Sequence, residues 1–234
     1  MSLELNWQGE PLPRGRHKLS PDAVRASQRE RIVRAMLESV GRVGYEATTV
    51  PQVVATARVS RNAFYELFED KAECFMAVCD ETSAQLLEEL LSLASEPDWV
   101  QAMREGTRRY LRWWQENPTI ASAYLISLPT VGERALAQRE RHYASFHTIF
   151  AALGARARAE QPELGPLDEL VPRLLVLAIT ELVAEEVRAG RTAQLTELSE
   201  QIALLAIRLL ADDATAERVR LGREASASGA ATTR

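Results

Sequence analysis

Apolar residues recur along most of the chain at the three-and-four spacing of helices, and no stretch alternates as a half-buried strand would. The first helix is expected to open at Ser20-Pro21-Asp22. There a hydroxyl caps, proline fits the first turn and an acid suits the positive end of the helix dipole. Ile32, Ala35, Met36, Val40 and Val43 then form one stripe, and Gly44 supplies a stop. Thr49 opens a short second helix as the capping box Thr-x-x-Gln with Gln52, tolerates Pro51 in its first turn, and hands over near Ala57. Ser60 caps a third helix reaching about Glu69, and Lys71 begins a long fourth that extends to about Ser95. Pro97-Asp98 starts a fifth, Asn117-Pro118 divides it from a sixth, and Leu128-Pro129 ends that one. The seventh is expected from about Gly132 to Ala159, followed by the connection QPELGPLDE. The last two run from about Asp168 to Ala189, stopped by Gly190, and from about Ala193 to Ala211. This is the pattern of an all-α protein: a basic arm (1–19), a three-helix domain (20–75), a larger helical domain (76–212) and a disordered tail (213–234).

The densest signal lies in residues 48–73, TTVPQVVATARVSRNAFYELFEDKAE. Two short capped helices meet at Ala57-Arg58-Val59-Ser60, while Val50, Val53, Val54, Val59, Phe64 and Phe68 are placed to pack on the first stripe. A helix-turn-helix of this kind presents its second helix to the DNA major groove, about 12 Å wide and matched to a helix diameter. Arg61 and Asn62, at the start of that helix, can reach base edges or sit as plain solvated surface. Tyr65, one turn on, can donate its hydroxyl to a phosphate or serve as core or cap. Thr49, Ser60 and Lys71 stand at helix N-termini, where backbone N–H groups favour phosphate oxygens.

A formal net charge of −5 taken alone argues against a nucleic-acid partner, but the charge is unevenly spread. Between residues 11 and 34, Arg14, Arg16, Lys18, Arg25, Arg29, Arg31 and Arg34 face only Asp22 and Glu30. Such a local patch is what phosphate attraction requires. Arg14, Arg16 and Lys18 suit an arm that enters a minor groove, the alternative being a disordered leader.

With the Thr48-Thr49 pair, the Val59-Ser60 turn exit, Phe64-Tyr65 followed by Phe68, and Lys71 with Glu73, residues 25–75 resemble the DNA-binding domain of the TetR family. The resemblance implies a homodimer of nine to ten helices that binds a near-palindromic operator in double-stranded DNA, as a repressor released by a small molecule. The family has glycine in the turn where this chain has Arg58, so a left-handed Arg58 would cost about 1 kcal/mol and would regain some of it by facing phosphate.

The same resemblance gives the larger domain two tasks, dimerisation and ligand binding. In the last helix Leu195, Leu198, Ile202, Leu205 and Leu209 recur at the spacing of a helix-pairing seam, and LLVLAITELV (174–183) is apolar around most of its circumference. Leu175, Ile179 and Leu182 on the eighth helix therefore join Leu198, Ile202, Leu205 and Leu209 as candidate dimer contacts, an intramolecular core being the alternative. Met103, Tyr110 and Trp114 share one face of the fifth helix, and His142, Phe146 and Phe150 one face of the seventh, with Tyr124 between. In the family such faces line a ligand cavity, which here implies a mostly hydrophobic effector with one or two polar anchors.

Catalysis finds no support. His17, His142 and His147 form no Glu-x-x-His pair, and Gly-rich phosphate loops, Gly-x-Ser-x-Gly and Cys-x-x-Cys are missing. No metal or cofactor is expected. Cys74 and Cys79 are five apart on one helix, about 140° around its axis, and read as reduced thiols, with a redox switch the weaker reading. The first 20 residues lack the apolar core of a secretory signal and no run of 18 apolar residues occurs, so a cytoplasmic protein without a membrane partner is expected. A regulator or architectural protein that binds DNA without an effector remains the rival reading.

Overall fold

The computed structural model describes residues 20–91 and 96–211, and those residues are all-helical. In chain order the helices are α1 (Pro21–Ala47), α2 (Val50–Ala57), α3 (Arg61–Tyr65), α4 (Lys71–Leu91), α5 (Trp99–Glu116), α6 (Pro118–Ala121), α7 (Glu133–Glu160), α8 (Leu170–Arg188) and α9 (Ser199–Ala211). The starts follow local chemistry: Ser20 accepts from Ala23 N at 3.2 Å, and Asp98 accepts from Gln101 N at 2.7 Å. At Gly44, φ of +80° breaks the regular path of α1, a geometry glycine adopts without strain. Past that break the chain buries Tyr45, whose ring centroid lies 4.9 Å from that of Phe75. Val43, expected in the stripe, is exposed instead, because the packing on α1 ends at Val40 and resumes at Tyr45.

α1 is central to the packing. Ile32, Val33, Met36 and Val40 meet α2 and α4, and one apolar core continues through Phe64, Phe75 and Leu86 to Trp114 and Tyr124. A second cluster joins Trp99 and Met103 to Leu175, Ala203, Ala206 and Leu210. α1 also touches α6 so closely that a Cβ on Gly41 would clash with Thr119 Cγ2.

Three elements differ from expectation: α3 stops at Tyr65 instead of reaching about Glu69, and two later segments leave the regular helical path. After α6 the chain widens into a π-helical turn (Ser122–Ser127) and tightens into a 3-10 turn (Leu128–Thr130) before Gly132 redirects it. The helix expected from Ala193 is interrupted: Thr192–Leu198 winds as a 3-10 segment and α9 begins only at Ser199. A tertiary contact accompanies that break. Gln115 Oε1, on α5, accepts from Thr196 N at 3.0 Å and from Thr196 Oγ1 at 2.9 Å.

Candidate nucleic-acid interface and internal cavity

The turn between α2 and α3 is held by backbone capping. Thr49 N donates to Gln52 Oε1 at 2.9 Å and Gln52 N to Thr49 Oγ1 at 3.5 Å, closing the capping box. Arg58 takes the left-handed conformation (φ 53°, ψ 48°), and Val59 N reaches back to Val54 O at 3.1 Å. Arg31 Nη1 donates to Ala57 O at 3.2 Å and Arg58 O at 3.3 Å, setting a cation on the negative end of α2. Ser60 then caps α3 by accepting from Ala63 N at 3.0 Å. Ala63, Phe64 and Phe68 point into the core, which leaves Arg61, Asn62 and Tyr65 outside, Tyr65 at 47% exposure. The Arg61 guanidinium carbon lies 5.6 Å from the Tyr65 ring centroid, so the two side chains form one cationic, hydrogen-bonding surface. Thr49, Arg58 and Ser60 are exposed beside it.

Lys71 is placed otherwise than expected. Its Nζ donates to Tyr45 O at 2.9 Å and Glu46 O at 3.4 Å and lies 4.1 Å from the Tyr45 ring centroid, so the ammonium fastens α4 to the end of α1. The α4 N-terminus already holds carboxylates, with Asp70 Oδ1 accepting from Glu73 N at 2.7 Å. A phosphate there would meet negative charge. Arg29 is likewise engaged, pairing with Glu81 at 2.5 Å. Arg14, Arg16 and Lys18 lie outside the described residues.

Between α4, α5, α7 and α8 lies a cavity of about 570 Å³. Met103, Tyr110, Trp114, Tyr124, Phe146 and Phe150 all line it. The sequence reading missed Leu86, Leu90, Leu153, Val176 and Thr180, which also face it; their helical spacing marks them as buried without saying what they surround. Ile179, assigned above to a dimer contact, lines the cavity.

His142 is not among the lining residues. It sits behind Tyr124, sharing a hydrogen bond of 2.9 Å between Nδ1 and the tyrosine hydroxyl and one of 2.8 Å between Nε2 and Asp80 Oδ1. A carboxylate only accepts, so Nε2 carries a proton, and in the neutral ring Nδ1 accepts from Tyr124. Two further polar contacts join α7 to the start of α4: Arg134 Nη1 to Asp70 Oδ2 at 3.0 Å, and Gln138 Nε2 to Met76 O at 2.9 Å. Arg134, Gln138 and His142 are spaced four apart, one face of α7, a signal the sequence does carry. Burial pushes the Asp80 carboxyl up, but hydrogen bonds from His142 and Gln138 outweigh it and leave the pKa below the usual carboxylate value. Burial raises Tyr124 well above an ordinary phenol and Tyr110 to about 12. Both cysteines are buried with thiols pushed up by desolvation, the reverse of what a reactive thiolate needs.

The proposed dimer residues divide by face. Leu205 (52% exposed) and Leu209 (51%) are on the surface with Leu182, and so are Leu174 (54%), Leu177 and Leu204. Leu175 (3%) and Ile202 (6%) are buried in the chain's own core, with Leu195. Leu198 packs partly against that core. The 3-10 turn takes Leu195 and Leu198 out of register with α9, whereas Ile202, Leu205 and Leu209 divide between core and surface within α9 itself.

Among the described residues no helix is long and apolar enough to cross a membrane, and no group of His, Cys, Asp or Glu could hold a metal ion. Residues 32–78 match the family described as bacterial regulatory proteins, tetR family. The transcriptional regulator AcuR of Cereibacter sphaeroides is 36% identical over 67 residues, 29% of this chain and 30% of that protein. The matched stretch thus spans under a third of the regulator's length. The fold resembles that of the transcriptional regulator FadR from Bacillus subtilis in complex with stearoyl-CoA, with a TM-score of 0.69, 15% identity, and 76% of this chain and 97% of that one covered. It also resembles a regulatory protein of the tetR family from Rhodococcus RHA1, with a TM-score of 0.63, 20% identity, and 78% and 96% covered.

Proposed function

We infer, from this chain's membership of the TetR family of transcriptional regulators, that it works as a homodimeric repressor which a small hydrophobic effector releases from its operator. The observation that carries the DNA-binding part is the exposed trio Arg61, Asn62 and Tyr65 on a helix whose other face is buried. Arg61 and Asn62 read base edges in the major groove, and Tyr65, Thr49, Ser60 and Arg58 position the helix against phosphates. Arg14, Arg16 and Lys18 add electrostatic grip. Residues 20–75 thus read DNA, and residues 76–212 bind effector and partner.

The dimer forms through α8 and α9, where Leu174, Leu177, Leu182, Leu204, Leu205 and Leu209 expose an apolar face that water would otherwise cover. Paired recognition helices then require a near-palindromic site. The cavity is the effector site, a reading supported by the FadR relative with its acyl-CoA. Helix α4 joins the two halves: its second half walls the cavity, and its first residue is tied to the end of α1. An effector that shifts α4 against α7 therefore moves α3 relative to its two-fold mate. Nothing in this scheme calls for catalysis, and its DNA partner places it in the cytoplasm.

Footprinting the purified protein on its own upstream region, with and without a panel of hydrophobic compounds, tests the scheme. Protection of a two-fold site that is lost with a subset of compounds is expected. Protection that no compound relieves favours a regulator acting without an effector, and no protection removes the DNA-binding reading.

A further inference from the structure

The wall of the cavity is unusual in what it lacks. Among the described residues that line it there is no Lys, Asp, Glu or His. Its one cation is Arg156, which is already occupied. Arg156 Nε pairs with Glu160 Oε1 at 2.6 Å, Nη2 donates to Glu96 O at 2.7 Å, and Glu160 Oε2 is itself fixed by Trp99 N at 3.0 Å. The polar groups left on the wall are hydroxyls and the Trp114 indole N–H, a buried donor without a partner. Burial holds the phenols of Tyr110 and Tyr143 neutral by raising both pKa values. Thr180 is beside them, and the Thr107 hydroxyl has only the weakly accepting sulfur of Met103, at 3.8 Å.

Building on the effector reading above, we propose that this cavity selects an uncharged ligand, an apolar chain or ring system ending in an alcohol or carbonyl, and rejects the ionised acid and the acyl-CoA of the same length. An alcohol entering the cavity gives up water for the Tyr110, Thr107 and Thr180 hydroxyls, so its hydrogen bonds are replaced. A carboxylate gives up a far larger hydration and finds no free cation, and a buried ion without a partner is strongly disfavoured. The multiply charged head of an acyl-CoA meets no unpaired cation among the described lining residues, since the Arg156 charge is cancelled by Glu160. This chain would thus part company with its stearoyl-CoA-bound structural relative in ligand chemistry while keeping its fold.

The probes are 1-decanol, sodium decanoate and decanoyl-CoA, titrated into the full chain and followed by calorimetry and by tryptophan fluorescence, with Trp114 in the cavity wall. At pH 8 decanol should bind at least about tenfold more tightly than decanoate. If only the protonated acid enters, decanoate affinity should rise about tenfold for each pH unit between 8 and 6. Thr148 lines the rim and is exposed, so Thr148→Lys adds a free ammonium without disturbing the core. It should strengthen decanoate binding at pH 8 by a much larger factor than it alters decanol binding. Decanoate or decanoyl-CoA binding as tightly as decanol, or decanoate binding that ignores pH, overturns the inference and leaves the effector site standing. If none of the three binds and the fluorescence does not move, the effector reading falls as well.

Discussion

Replacing Leu205 by arginine separates an interface from a core. Leu205 is 52% exposed in the protomer, so roughly half of the benefit of burying a leucine, about 1 kcal/mol, remains to be gained on association. Two-fold symmetry doubles every change, so Leu205→Arg forfeits about 2 kcal/mol per dimer and also strips water from two guanidinium groups. With several kcal/mol for that desolvation, the dimer should weaken by a factor on the order of a thousand or more. Ile202 lies three residues earlier on the same helix but is 6% exposed, inside the protomer. Ile202→Arg should therefore unfold the chain, whereas Leu205→Arg should keep its helical circular dichroism. In light scattering and sedimentation at micromolar concentration, wild type should be a dimer and Leu205→Arg a folded monomer with weak operator binding. A Leu205→Arg protein that dimerises like wild type, or a monomeric wild type, refutes the reasoning.

Within α3, Asn62→Ala should cost about 1–3 kcal/mol on the true operator and much less on unrelated DNA, while Tyr65→Phe should weaken both alike by about 0.5–1.5 kcal/mol at one fixed salt concentration. Equal loss on both DNAs for Asn62→Ala would remove it as a reader. Gly41→Ala drives a methyl into Thr119 and should destabilise the fold by about 1–3 kcal/mol in thermal melts. Adding Thr119→Ser removes the clashing Cγ2 and should restore most of that loss; no restoration would mean the contact is not what limits the site. The Asp80 carboxyl, with its lowered pKa, supports the fold above its unfolded pKa of about 4, and that support fades as pH falls through the lower folded value. Asp80→Asn should therefore be less stable than wild type near neutrality, with the gap closing on acidification; a constant gap in melts from pH 7 to 3 would contradict the hydrogen bond to His142.

What the chain carries in its own local chemistry is its helices and the turn that presents α3. Thr49 with Gln52, Ser60 with Ala63 N, and the buried Phe64 and Phe68 beside exposed Arg61 and Asn62 involve partners a few residues apart. Caps and periodicity of that range are legible in one dimension. The aromatic faces of α5 and α7 were legible too, as faces. Tertiary structure alone decided which of them lines space and which is packed solid: Phe146 borders the cavity, while His142, one turn away, turns back to Asp80, 62 residues earlier. It also decided that Lys71 serves the end of α1 and that Leu205 faces outward while Ile202 faces inward. A repeat of leucines states that some face is buried but not what buries it. Here the Gln115 hydrogen bonds and a 3-10 turn rotate one part of the repeat relative to the other, and that rotation depends on residues about 80 positions away.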